Sequence, residues 1–283
     1  MKSMDEFKKY YETDMLPLLK PLEEKRKSIH DRVKKVSIIF IIAYILLSII
    51  FYIKINVLGM FMIIFGPGVI IGLIYGPPYY YTRQREYYDE FKKIVIGNTV
   101  KFFGESFTYN PSGYIELSDF VESDLFKRKT SSSEYRYYGE DLVTGYINSV
   151  KITFSEVKAI LYGGGRTRML FKGLFFVLTF PEVFKEKNLS TTVSPDQSDI
   201  NNTYLSKESS HLIKCLSKQY INLSIKGSKM YIAAELWQQN LFEPRIDKSL
   251  LDFNEVNMYF IYLKFALETV EGLLKKPEIW DNQ

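Results

Sequence analysis

The 283-residue chain is poor in metal-binding and redox side chains, with one cysteine, Cys215, and two histidines, His30 and His211. A lone cysteine excludes an intramolecular disulfide framework and suits a reducing compartment. One cysteine and two histidines cannot supply the ligand spacing of a zinc site. There is no internal repeat and no low-complexity tract. The most telling shortage is of charge. Val36 to Ile53 contains no charged residue, and neither does Val57 to Gly76; only Lys54, Ile55 and Asn56 separate the two runs.

About 20 apolar residues cross a hydrocarbon core as a helix, so the two runs read as a membrane-spanning hairpin, 36–53 and 57–76. The first run starts behind a long charged segment, and no small-residue cleavage site precedes the second. It therefore reads as a retained anchor, not a signal peptide. Lys25, Arg26, Lys27, Arg32, Lys34 and Lys35 precede the hairpin, and Arg83, Arg85, Lys92 and Lys93 follow it. Lys54 stands alone in the turn. Basic residues resist translocation, so the N-terminus and the large C-terminal part are expected on the cytoplasmic side of the inner membrane, as parts of a multi-pass protein. Tyr79, Tyr80 and Tyr81 fall where an interfacial aromatic belt belongs. The net charge is +4, and its excess collects beside these spans. The partner it implies is the lipid bilayer, and no nucleic acid is expected.

Within the second span, Gly66-Pro67-Gly68 predicts a kink. Gly68, Gly72 and Gly76 share one helix face and are candidates for close helix packing, either on the first span or in self-association.

The flanks read as helical. Phe7, Tyr11 and Met15 share a face, Pro17 disturbs the helix, and from Pro21 the pattern continues to Ile53. Tyr87, Tyr88, Phe91, Ile94 and Val95 form a second stripe, placed to pair with the helix before the first span. Residues 1–96 therefore form juxtamembrane and transmembrane helices, and 97–283 a cytoplasmic domain.

That domain reads as α+β, an antiparallel sheet with packing helices. Val150, Ile152 and Phe154 alternate, whereas Val157, Ala159 and Leu161 alternate in the opposite phase. The slip at Ser155-Glu156 predicts a bulge or a break between strands. Met169 to Phe180 is apolar on both faces, as a central strand would be. Leu205 to Tyr220 reads as a helix. Lys226-Gly227-Ser228-Lys229 between two apolar runs is a hairpin signal. Phe253 to Leu274 carries an apolar face of Val256, Tyr259, Phe260, Leu263, Leu267, Val270 and Leu274.

Several strings recur in a recognisable order: Leu22-Glu23 with Arg26, Ser123-Asp124-Leu125-Phe126, Glu140-Asp141-Leu142-Val143-Thr144-Gly145, Phe154-Ser155-Glu156-Val157, Phe171-Lys172-Gly173-Leu174-Phe175-Phe176, Val193 with Pro195-Asp196, and Leu241-Phe242-Glu243-Pro244. Behind a two-span hairpin, this set resembles a bacterial membrane family catalogued as domain of unknown function 3137. The resemblance implies two transmembrane helices and a cytoplasmic domain; it brings no activity. The chain departs from the family pattern after Pro195-Asp196, where Gln197 to Tyr204 is short and polar.

No catalytic constellation is complete, and no cofactor motif is present. His211 and Cys215 are four residues apart on the expected helix, a spacing that a half-buried helix face explains as well as a nucleophile pair does. Gly163-Gly164-Gly165-Arg166-Thr167-Arg168 lacks the Walker lysine and sits between strands, so it reads as a turn. Glu116, Asp119, Glu122 and Asp124 crowd together, as a solvated face or helix start does. Besides a small oligomeric membrane assembly built on the glycine face, two readings remain. The preferred one is a non-enzymatic, membrane-anchored interaction or sensing domain. The alternative is a membrane-bound enzyme with an acid-based site around Asp124, Glu140, Asp141 and Glu156.

Overall fold

The computed structural model describes residues 2–54, 78–126, 134–163, 166–186, 188–193, 221–236 and 241–281. The chain forms two compact units. One consists of Met1–Tyr10, Val95–Glu243 and Val256–Gln283; the other of Tyr11–Ile94 and Pro244–Glu255.

The first unit is α+β. Among the described residues, seven antiparallel strands form one sheet in the order β1-β2-β3-β4-β7-β6-β5. They are β1 (Thr108–Asn110), β2 (Glu134–Ile147), β3 (Val150–Gly163), β4 (Arg166–Thr179), β5 (Asn188–Val193), β6 (Ile221–Lys226) and β7 (Lys229–Glu235). The doubly apolar β4 is the central strand, as its composition requires. The β6–β7 turn places Gly227 at φ 60°, the left-handed conformation demanded at the first position of a two-residue II′ loop. The β2–β3 turn uses Asn148 and Ser149 at φ 45° and 67°, the pattern of a I′ loop.

β3 does not break at Ser155-Glu156. It runs unbroken for 14 residues, and the phase slip arises because the two faces of the sheet are covered along different parts of the strand. Val150, Ile152 and Phe154 face α6 (Phe253–Leu274), where Phe176 meets Phe265 edge-on at 5.4 Å. Val157 and Ala159 face the other way, into a core shared with Phe120, Phe171, Phe175 and Tyr231. Phe120 lies on α5 (Leu117–Glu122), at the centre of that core, and stacks on Phe126 at 5.1 Å. The bulge is on the neighbouring strand. Glu140 pairs with Glu156 and Val143 with Phe154, so Asp141 and Leu142 together oppose Ser155.

α6 matches its expected bounds but is buried on more sides than the stripe alone implies: Ile261, Tyr262, Phe265 and Ala266 are also buried. Its outer side meets α1 (Met4–Tyr10) and α4 (Gly97–Phe103), where Phe260 stacks on Phe7 at 4.4 Å and on Phe103 at 5.1 Å. α1 begins in a reciprocal capping box, in which the Glu6 N–H donates to Ser3 Oγ and the Ser3 N–H to the Glu6 carboxylate.

The second unit contains α2 (Leu16–Lys54) and α3 (Pro78–Phe91). A π-helical stretch, Tyr11–Met15, precedes Pro17. Its wider turn accommodates a ring that lacks an N–H donor, so the helix continues past Pro17 and through Pro21. Lys25 and Glu90 join α2 to α3 by an ion pair, with Lys25 Nζ 2.6 Å from Oε2, so the expected pairing of the two flanks is present.

The described residues do not supply the expected transmembrane hairpin: no helix among them is long and apolar enough to cross a membrane. Lys54 ends the description of the first run, and 55–77 lie outside the described residues. The second span, its kink and the Gly68, Gly72, Gly76 face fall there. The helix at Leu205–Tyr220 and the departure after Asp196 also lie outside the described residues.

Candidate functional site

Of the four carboxylates of the alternative acid-based site, the fold brings three together. Glu140 and Glu156 are direct cross-strand partners on β2 and β3, and Asp141 is the next residue on β2. Asp141 occupies the bulge at φ 63°, a left-handed conformation that aspartate tolerates better than most residues. Its backbone N–H donates to the Pro111 carbonyl at 3.0 Å, and the Leu142 N–H to the Gly113 carbonyl at 3.1 Å. Both bonds replace ladder bonds that the extra residue interrupts. The Asp141 side chain accepts the hydroxyl proton of Tyr109 on β1. Burial and the neighbouring Asp141 both push the Tyr109 hydroxyl far above its usual range, so it remains a proton donor.

Glu156 is only 6% exposed. The Leu241 N–H donates to Glu156 Oε2 at 2.8 Å. Phe242 is fully buried, with its ring 6.0 Å from Tyr259 and 5.8 Å from Tyr262. Burial pushes the Glu156 carboxyl up to about 7, with Glu140 and Asp141 adding to the rise; the Leu241 N–H and Lys172 work against it. Leu241 therefore binds, through its backbone N–H, a buried carboxyl that is raised above its usual range. Asp141 is 1% exposed, so both carboxyls are buried.

Asp124 is not part of this group. It follows α5 in the left-handed region at φ 57°, where Ser123 closes the helix by donating from Oγ to the Phe120 carbonyl at 2.7 Å. Its carboxylate pairs with Lys226 at 2.7 Å. Asp119 and Glu122 both grip Lys229, at 3.0 and 2.8 Å. Burial alone would lower the Lys229 ammonium, but the two carboxylates outweigh it and push it well up. The acidic run thus clamps α5 to the β6–β7 turn.

A polar cluster unremarked by residue chemistry lies in the second unit. Glu23 and Arg26, on one turn of α2, form a bidentate pair at 2.8 and 2.9 Å, and both are buried. Glu23 also accepts from the Leu250 N–H and the Ser249 hydroxyl, each at 3.0 Å. Arg26 donates onward to the Ile246 carbonyl. Tyr11 adds a bond to the Leu250 carbonyl at 3.1 Å, and burial raises its hydroxyl to about 12. The segment 246–250 is thus fixed to α2 by one ion pair and its satellites. An i,i+3 Glu–Arg pair is too common on exposed helices to have signalled this.

Among the described residues no group of three or more His, Cys, Asp or Glu is placed to hold a metal ion. His30 is half-buried on α2. His211, Cys215, Gly164 and Gly165 lie outside the described residues, although Gly163 and Arg166 pair as the ends of the β3–β4 turn.

No curated protein and no solved structure matches the chain. A family model described as "Protein of unknown function (DUF3137)" matches residues 210–275, a range that includes β6, β7 and the whole of α6, and it supports a domain of unknown function in this chain.

Proposed function

We propose that the protein is a membrane-anchored, non-enzymatic interaction or sensing domain held at the cytoplasmic face of the inner membrane by the 36–76 segment. One observation carries this reading. Ile38, Ile39, Ile41, Ile42, Ile45 and Leu46 project from one broad side of α2, each between 47% and 64% exposed. A continuous isoleucine-rich helical face in water is costly, at about 25 cal/mol per Å² of apolar surface. A bilayer removes that cost. The exposed Lys27, Lys34 and Lys35 stand just before the face on the same helix, where anionic headgroups would meet them.

The acid-based enzyme has one observation in its favour, the convergence of Glu140, Asp141 and Glu156. Against it, Asp124 is held in an ion pair elsewhere, and Glu156 and Asp141 are covered.

Alkaline carbonate washing of cell membranes tests the anchor. The full chain should stay in the pellet, and a variant with Ile38→Asp, Ile42→Asp and Ile45→Asp should be depleted from it, because charges at a helix centre in the bilayer cost about 3 kcal/mol each. Release of the unaltered chain by carbonate would sink the reading.

A further inference from the structure

We propose that Lys34 and Lys35 form a site for the phosphate of an anionic phospholipid, and that the chain thereby selects anionic over zwitterionic lipid around α2. The inference deepens the membrane reading above and rests on it.

Position along one helix carries it. About 3.6 residues make a turn, so residues three or four apart share a face. Lys34 lines up with Ile38, Ile41 and Ile45, and Lys35 with Ile39, Ile42 and Leu46; all eight are exposed. The two lysines therefore head the two flanks of the isoleucine face. At a rise of about 1.5 Å per residue, each lysine Cα lies about 6 Å from the first isoleucine of its row. Helical side chains lean toward the N-terminus, so both stems run away from the isoleucines and carry their ammonium groups to the depth of the headgroups. Adjacent Cα atoms are about 3.8 Å apart, and lysine stems are flexible, so both ammonium groups reach one phosphate.

The surrounding charges leave the pair available. Among the described residues neither lysine has an ion pair. Asp31 is exposed on the same face, one turn farther from the isoleucines, and no carboxylate follows it on α2. Arg32 is exposed and has a partner already. Farther out, the exposed Glu24 and Lys27 offset each other. Two ammonium groups thus stand against one carboxylate at the edge of the apolar face. The occupant follows from the continuity of the two surfaces. A phospholipid brings a phosphate to the lysines and acyl chains to the isoleucines, whereas a soluble anion or an acidic peptide satisfies the lysines alone.

The test uses the full chain, reconstituted by detergent removal into vesicles of phosphatidylcholine alone or of phosphatidylcholine with a minor fraction of phosphatidylglycerol. Flotation reads insertion. Electron spin resonance of spin-labelled phosphatidylglycerol and phosphatidylcholine then reads which lipid the protein holds. The chain should float with both vesicles and hold phosphatidylglycerol more strongly, by up to roughly fivefold per lysine. High salt should weaken that preference. A variant with Lys34→Gln and Lys35→Gln should still float and lose most of the preference. Asp31→Asn should raise it, an effect that a purely structural role for the lysines does not give. Lys27→Gln, about 16 Å along the axis from Ile38, should change it least. Flotation with no preference in the unaltered chain, or an unchanged preference in the double variant, would overturn the site and leave the anchor standing. Failure to float with either vesicle would overturn the anchor, and the site with it.

Discussion

Glu23 and Glu156 are both buried carboxylates, and their surroundings shift them in opposite directions. For Glu23 burial is outweighed by Arg26, the Leu250 N–H and Ser249, so its carboxyl is lowered from 4.5. It stabilises the folded state above about pH 4.5, and that contribution is lost as pH falls through the lowered value. For Glu156 burial wins, and the carboxyl rises to about 7. Its penalty is absent below about pH 4.5, grows as pH rises, and is complete above about 7, where it amounts to about 3 kcal/mol. Thermal unfolding should therefore show stability falling between about pH 5 and 8, with Glu156→Gln removing that decline. Arg26→Ala strands the buried Glu23 and should cost about 3–5 kcal/mol; replacing both Glu23 and Arg26 by methionine should cost less, which chemical denaturation can measure. Glu23 and Arg26 were visible in the sequence only as a recurring string. Their role was not legible, because the groups that complete the site, two backbone atoms and a serine hydroxyl, lie more than two hundred residues away.

The elements of the sheet unit follow from local chemistry more directly. The apolar runs of β4 and α6 and the Lys-Gly-Ser-Lys turn were legible because strand centrality, helix periodicity and turn geometry each leave a mark on adjacent residues. The phase slip in β3 was legible as a place but not as a cause. It marks the point where coverage passes from α6 on one face to α5 on the other, and the bulge it suggested belongs to β2. Long-range pairing decides such matters, and a single strand does not record it. The same holds for Gly145, where an added Cβ would lie 2.2 Å from Phe107 Cδ1. Gly145→Ala should cost about 1–3 kcal/mol by overpacking, and Phe107→Leu in the same chain should recover part of it in a thermal melt. The α5 clamp is half-exposed, so Lys229→Met should lower stability by only about 1 kcal/mol. Its clearer signature should be faster amide exchange in α5, with β3 unaffected.

At the scale of the whole molecule, charge placement carries the account. Basic residues flank two uncharged runs, the described part of the first run presents an exposed isoleucine face, and the large sheet unit follows. Composition makes this arrangement legible, because hydrophobic length and lysine placement are properties of the chain alone. Partner, ligand and activity are not legible in that way; they depend on surfaces assembled from distant segments. The most direct test of the central claim is topology. Tyr138 lies on β2 and is 55% exposed, so Tyr138→Cys in a Cys215→Ser background gives one accessible thiol on the sheet unit. A membrane-impermeant maleimide should leave it unmodified in intact spheroplasts and modify it once the membrane is opened by detergent. Modification before the membrane is opened would contradict the account.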